Sequence, residues 1–175
     1  MQRRSLLRLG VFASVTLGVA GAGVALWTPG WRRGGGFSAS AQALWGAVAL
    51  AVLDGLLPAD RAARAQALAG HLQRLQTLVA GLPPATRTEL SRLLALLTLA
   101  PTRLALTGLR RDWPEAEVDD VQAALQAMRL SDNTARQQIY HALRDLTQAA
   151  YCAGPDSWPA LGYPGPAPLT GPAAP

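Results

Sequence analysis

The sequence predicts an all-α fold: an irregular bundle of about five helices, preceded by an N-terminal signal or anchor helix and followed by a Pro-rich extended tail. Three observations predict it. Apolar residues recur at spacings of three and four in successive segments, which places them on one face of a helix. Capping residues, Pro and Gly separate those segments. No segment alternates apolar and polar side chains long enough to make a strand. The expected organisation is a leader over residues 1–37, a helical domain over 38–153 and a tail over 154–175.

The leader begins Gln2-Arg3-Arg4-Ser5-Leu6-Leu7-Arg8 and continues as an uncharged apolar run over residues 9–27. Arg3, Arg4 and Arg8 precede the run with no carboxylate beside them, which sets the N-terminus on the cytoplasmic side. Arg3, Arg4, Leu6, Leu7 and Arg8 form a twin-arginine pattern, the address for export of proteins already folded. Gly10, Gly18, Gly21 and Gly23 keep the run mildly hydrophobic, and Arg32 and Arg33 come after it, both in keeping with that export type. The expected partner is the twin-arginine translocase, and the expected location is the periplasm. Ala39-Ser40-Ala41 and Ala20-Gly21-Ala22 have the small-x-small form of a processing site. Left uncut, residues 9–27 are about long enough to span the inner membrane as an anchor, with Trp27 and Trp31 at its outer boundary.

Residues 38–57 open with a serine cap and are apolar on nearly every side from Ala43 to Leu53. A helix apolar all round is either a central core helix or covered by a partner. Pro58 breaks it and Asp60 caps the next helix, where Leu68, Leu72, Leu75 and Val79 form a stripe. Gly81-Leu82-Pro83-Pro84 is a stop. Thr86-Arg87-Thr88-Glu89 reads as a capping box opening a helix through Leu90, Leu93, Leu94 and Leu97. Pro101 and Gly108 interrupt the next stretch. Asp112-Trp113-Pro114-Glu115 reads as another helix start, with Val118, Val121, Leu125 and Met128 as its stripe. Ser131 to Thr134 caps a last helix with Ile139, Leu143, Leu146 and Ala150 on its apolar side.

From Gly154 onward, prolines at 155, 159, 164, 166, 168, 172 and 175 allow neither helix nor strand, so the tail is expected to be extended. Its first half holds Trp158, Leu161 and Tyr163 with Pro164 and Pro166, large groups that would stay wet unless they dock. These five residues are the expected partner contacts, because a well-buried aromatic anchor contributes about 2 kcal/mol to an interface.

Charge excludes nucleic acid as a partner. The chain is +5 overall, yet residues 1–37 hold five Arg and no carboxylate, leaving eleven Arg against eleven Asp plus Glu in the remainder. A neutral body has no basic stripe to replace counterions on a phosphate backbone. The single cysteine, Cys152, excludes an internal disulfide and reads as a small apolar residue at a helix end.

Enzyme motifs are equally scarce: the chain has no G-x-S-x-G elbow, G-x-G-x-x-G fingerprint, Walker A loop or H-E-x-x-H. His141 and Cys152, eleven residues apart, stand about 16 Å apart along one helix and cannot hydrogen-bond. His71 reads as a partly exposed structural residue. The acidic run from Glu115 to Asp120 lacks the ligand spacing of a calcium loop and suits a helix N-terminus. No catalytic, cofactor or metal site is expected in this chain.

The twin-arginine leader, the first helix ending Asp54-Gly55-Leu56-Leu57-Pro58-Ala59-Asp60, and the terminal Tyr151 followed by Trp158-Pro159-Ala160-Leu161-Gly162-Tyr163-Pro164-Gly165-Pro166 occur in that order. In this it resembles the gluconate 2-dehydrogenase subunit 3 family. The chain departs from the family's pattern in lacking a Gly-rich turn within 61–81 and in having Tyr151-Cys152 where paired aromatics are usual. The resemblance implies a non-catalytic small subunit that pairs with a large FAD-dependent dehydrogenase subunit of the glucose-methanol-choline type. It further implies FAD in that partner, a cytochrome c subunit in some complexes, and export of the leaderless partner bound to this chain. The other reading of the same residues is a membrane-tethered periplasmic structural or chaperone-like helical protein with no flavoprotein partner.

Overall fold

A computed structural model describes residues 29–165. The described residues form six α-helices: α1 (Ala39–Val52), α2 (Arg61–Ala80), α3 (Pro84–Thr98), α4 (Ala100–Thr107), α5 (Val118–Arg129) and α6 (Thr134–Cys152). Short 3-10 turns occupy Trp113–Glu115, Pro155–Ser157 and Pro159–Leu161. The expected all-α class holds, and the only bridge among the described residues is the isolated pair Trp31 and Phe37. The twin-arginine residues Arg3, Arg4, Leu6, Leu7 and Arg8, the apolar run 9–27 and Pro166 lie outside the described residues.

α1 is the central helix. It packs against α2, α3, α5, α6 and the Trp113–Glu115 turn, which is why its sequence is apolar on almost every side. Leu44, Trp45, Val48 and Ala49 are fully buried. Ser38 caps it, its hydroxyl accepting from the Ala41 amide. The helix ends at Val52, short of the expected Leu57, because residues 53–57 turn through Gly55 at φ 77°. The processing motif Ala39-Ser40-Ala41 is wound into the first turn of α1, with Ala41 buried.

The body begins earlier than the expected boundary at residue 38. Gly30 donates its amide to the Ser91 carbonyl and accepts from the Ser38 amide, and the Trp31 amide donates to the Ser91 hydroxyl. Gly35 and Gly36, both at positive φ, turn the chain so that Phe37 returns to Trp31, the rings meeting edge to face at 5.2 Å. Trp31 is thus half-buried against the body.

Two further helix starts differ from expectation. α3 begins at Pro84, so Thr86 and Glu89 lie inside its first turns and no capping box forms. Pro at the first position needs no amide partner, and its fixed φ suits the helix start. Arg87 instead turns back and donates to the Ala80 and Leu82 carbonyls, closing the end of α2. Asp112-Trp113-Pro114-Glu115 forms only a 3-10 turn, and α5 starts at Val118. Trp113 is held in the core there by an indole bond of 2.7 Å to the Leu97 carbonyl. Asp60 and Asn133 cap α2 and α6, and Gly108, in the left-handed region at φ 80°, ends α4.

Candidate functional site

The expected contact residues hang from the end of α6. Tyr151, in the last turn, is buried against Ala49 and Leu53 of the α1 end. Its phenol donates to the Leu56 carbonyl at 3.1 Å. Burial raises the phenol above its ordinary pKa, Cys152 adds to the rise, and Arg74 opposes it, so the hydroxyl keeps its proton at neutral pH. The same residue supports the tail: the buried Ser157 hydroxyl lies 2.7 Å from the Tyr151 carbonyl and 2.6 Å from that of Gly154. The turn 54–60 and the aromatic tail, distant in sequence, therefore share one support.

Gly154 sits directly on Arg74. A Cβ there would lie 2.6 Å from the guanidinium carbon, while Arg74 Nε donates to the Ala150 carbonyl at 3.1 Å. A side chain there would push the Arg74 guanidinium off its place against the Ala150 carbonyl. Beyond it the chain is wound, not extended as expected: two consecutive 3-10 turns each begin with a proline, which supplies the required φ and needs no amide partner. Gly162, in the left-handed region at φ 66°, ends the second turn and brings Tyr163 back, its amide donating to the Trp158 carbonyl at 2.9 Å.

Trp158 is the inner anchor. Its indole donates to the Cys152 carbonyl at 2.9 Å, and its ring meets that of Tyr163 edge to face at 5.3 Å. Gly165 closes over the Trp158 ring. Leu161 and Tyr163 remain 43% and 48% exposed, so the tail's own packing does not use up their apolar surface. Leu56, on the turn that Tyr151 holds, is 39% exposed. Pro164 is exposed beside them. The tail thus divides its expected residues: Trp158 builds the support, while Leu161, Tyr163 and Pro164 face outward.

Among the described residues no three His, Cys, Asp or Glu side chains are grouped to hold a metal ion. Cys152 and His141 are both exposed on α6, and the His141 ring meets that of Tyr140 edge to face. Cys152 sits at the helix end as expected, though on its open side. His71 departs from expectation: it is fully buried between α2 and its neighbours, and neither ring nitrogen has a hydrogen-bond partner among the described residues. Burial, then the nearby Arg74 charge, lowers its pKa to about 4. It faces inward because it shares a helical face with Leu75, four residues on, a spacing visible in sequence.

Sequence reading missed Tyr151 as the joint and Arg74 as the seat of the tail. The signal for Tyr151 was its place one turn before the Gly154-Pro155 break. Arg74 gave none. Against protein-family models, curated proteins and solved structures, this chain has no match.

Proposed function

We propose that this chain is the non-catalytic small subunit and export escort of a periplasmic FAD-dependent dehydrogenase of the glucose-methanol-choline type, supplying the twin-arginine signal for both. The observation that carries the reading is the outward face of the wound tail. Leu161 and Tyr163 are held half-exposed on a rigid support that also fixes Leu56 in the 54–60 turn. A prearranged apolar surface loses little entropy when it docks. The support joins residues of two of the three stretches on which the family resemblance rests, Asp54-Gly55-Leu56-Leu57-Pro58-Ala59-Asp60 and Trp158 to Pro166. FAD belongs to the partner in this reading, and a cytochrome c subunit is a further member where one is present. The escort carries its partner through the twin-arginine translocase to the periplasm.

The test is a mild-detergent pull-down of the tagged full-length chain from periplasm and membranes, read by visible spectrum and by the mass of any co-purifying chain. A yellow complex containing a large subunit, whose export fails when Arg3 and Arg4 are both changed to Gln, supports the escort role. A colourless, lone helical protein refutes it and favours the membrane-tethered structural or chaperone-like reading.

A further inference from the structure

The helix α4 has its polarity reversed. Its two buried residues are Arg103 and Thr107, while Pro101, Leu104 and Ala105 are exposed and Leu106 is half-buried. Arg103 is only 5% exposed, whereas its neighbour Leu104 is 48% exposed. A helix bordering water ordinarily turns its cation outward and its leucines inward. The inward Arg103 is paired: one guanidinium nitrogen donates to the Asp112 carboxylate at 2.8 Å and another to the Arg110 carbonyl at 3.5 Å. It thereby fastens residues 110–112 to α4 and balances the charge of Asp112. That accounts for Arg103 and leaves Leu104 and Ala105 uncovered.

A second leucine is exposed at the same end of the body. Leu130, just after α5, is 66% exposed. The adjoining Ser131 carbonyl accepts from Gln137, and Arg136, next to Gln137 on α6, donates to the Leu106 carbonyl of α4 at 2.9 Å. The end of α5 and the start of α6 are thus fastened to α4. Charge at this end is mainly positive. Arg110 and Arg111 are exposed, and residues 99–111 hold three Arg and no carboxylate. Around Leu130, Arg129 and Arg136 outnumber Asp132. α4 runs at 98° to α3, so it lies across the end of that helix. With eight residues it is about 12 Å long, too short to cross a bilayer but able to lie along one.

We propose that the outer face of α4 docks on an anionic lipid surface, Leu104 and Leu130 entering the apolar boundary while Arg110 and Arg111 meet the headgroup phosphates. Leucine supplies the apolar contact and arginine the attraction, the two components of interfacial binding. A lipid surface fits because leucines from separate elements, flanked by an excess of one sign of charge, need only an apolar layer beneath anionic groups. Tyr151 lies fifteen residues along α6 from Arg136, about 22 Å, so the lipid-facing end is opposite the tail. The proposal goes beyond the escort reading and does not depend on which partner the tail meets.

The experiment uses the full-length chain with Cys152→Ser and one new cysteine carrying a fluorophore, mixed with vesicles whose acyl chains are brominated to quench it. One chain carries Ala105→Cys; the control carries Gln148→Cys, exposed on α6 about 18 Å beyond Arg136. Any effect of residues 9–27 on vesicle binding is common to both. With mixed phosphatidylglycerol and phosphatidylcholine, quenching at 105 should be at least about threefold that at 148, since an interfacial helix sits about 5–10 Å into the boundary. Changing Arg110→Gln and Arg111→Gln together should weaken the docking read at 105 about twenty-five-fold, about fivefold for each cation beside an anionic surface. Leu104→Ser should weaken it about tenfold with circular dichroism unchanged. If that variant unfolds, Leu130→Ser removes the second leucine from a more exposed site. Equal quenching at the two positions, equal quenching with phosphatidylcholine alone, or docking unmoved by the folded variants would overturn the proposal. So would a fluorophore at 105 already shielded without lipid, which would place a second copy or another protein on this face.

Discussion

The phenol of Tyr151 donates a 3.1 Å hydrogen bond to the backbone carbonyl of Leu56, ninety-five residues earlier in the chain. This one bond ties the turn after α1 to the helix from which the tail hangs. Changing Tyr151→Phe keeps the ring against Ala49 and Leu53 and removes only the donor, leaving the Leu56 carbonyl without it. The expected loss is about 1 kcal/mol in urea denaturation, with an unchanged m-value. A loss within error would show that solvent replaces the bond.

The outward residues of the tail should matter more for capture than for stability. Leu161 and Tyr163 are both near half-exposed, so the double change Leu161→Ser with Tyr163→Ser should cost only about 1 kcal/mol of stability, the weight of the lost edge contact with Trp158. Capture of the partner should fall by about thirtyfold, the weight of one apolar anchor. Unchanged capture would place the interface elsewhere on the chain.

His71 makes stability depend on pH in a defined window. It is neutral when folded because its pKa is lowered to about 4, against 6.5 when exposed in the unfolded chain. As pH falls below about 6.5 the unfolded chain takes up a proton that the folded one refuses, so stability declines until about pH 4 and then levels. The contribution is at most about 3 kcal/mol from this shift. His71→Leu should flatten that part of the curve and leave stability at pH 7 unchanged or higher, since two unpartnered ring nitrogens are removed. Denaturation midpoints measured at intervals from pH 7.5 to pH 4 on both proteins decide it.

Gly30 is a packing site. A Cβ there would press on Leu94 and come within 2.9 Å of the Ser91 carbonyl, which is backbone and cannot swing aside. Gly30→Ala should cost about 2 kcal/mol through steric strain and expose Trp31, seen as a red shift in fluorescence. An unperturbed melting temperature would mean that residues 30–37 contribute nothing to the body.

The helices were legible because their caps and breakers act locally. Ser38 and Asp60 cap where they were expected to, and the stripes through Leu75, Val79, Ile139 and Leu143 are buried. The failures have local competitors. Pro84 started α3 ahead of the Thr86 to Glu89 box. The Trp113 indole found the Leu97 carbonyl and held its segment as a 3-10 turn. In the tail, a series of prolines reads as extension, yet proline also starts 3-10 turns when an aromatic anchor such as Trp158 gives the chain something to wind around.

The sequence by itself determined the all-α class, the neutral body, the order of helices and the presence of bulky apolar groups in the tail, because these depend on composition and short-range spacing. Only the tertiary structure decided that Tyr151 joins the 54–60 turn to the tail, that His71 is sealed inside, and that Gly30 is already packed into the body. It also decided that α1 keeps an open face between α2 and the Trp113 turn. Each depends on which surfaces meet across long stretches of chain, and residue spacing along a single helix carries no record of the partner on the other side.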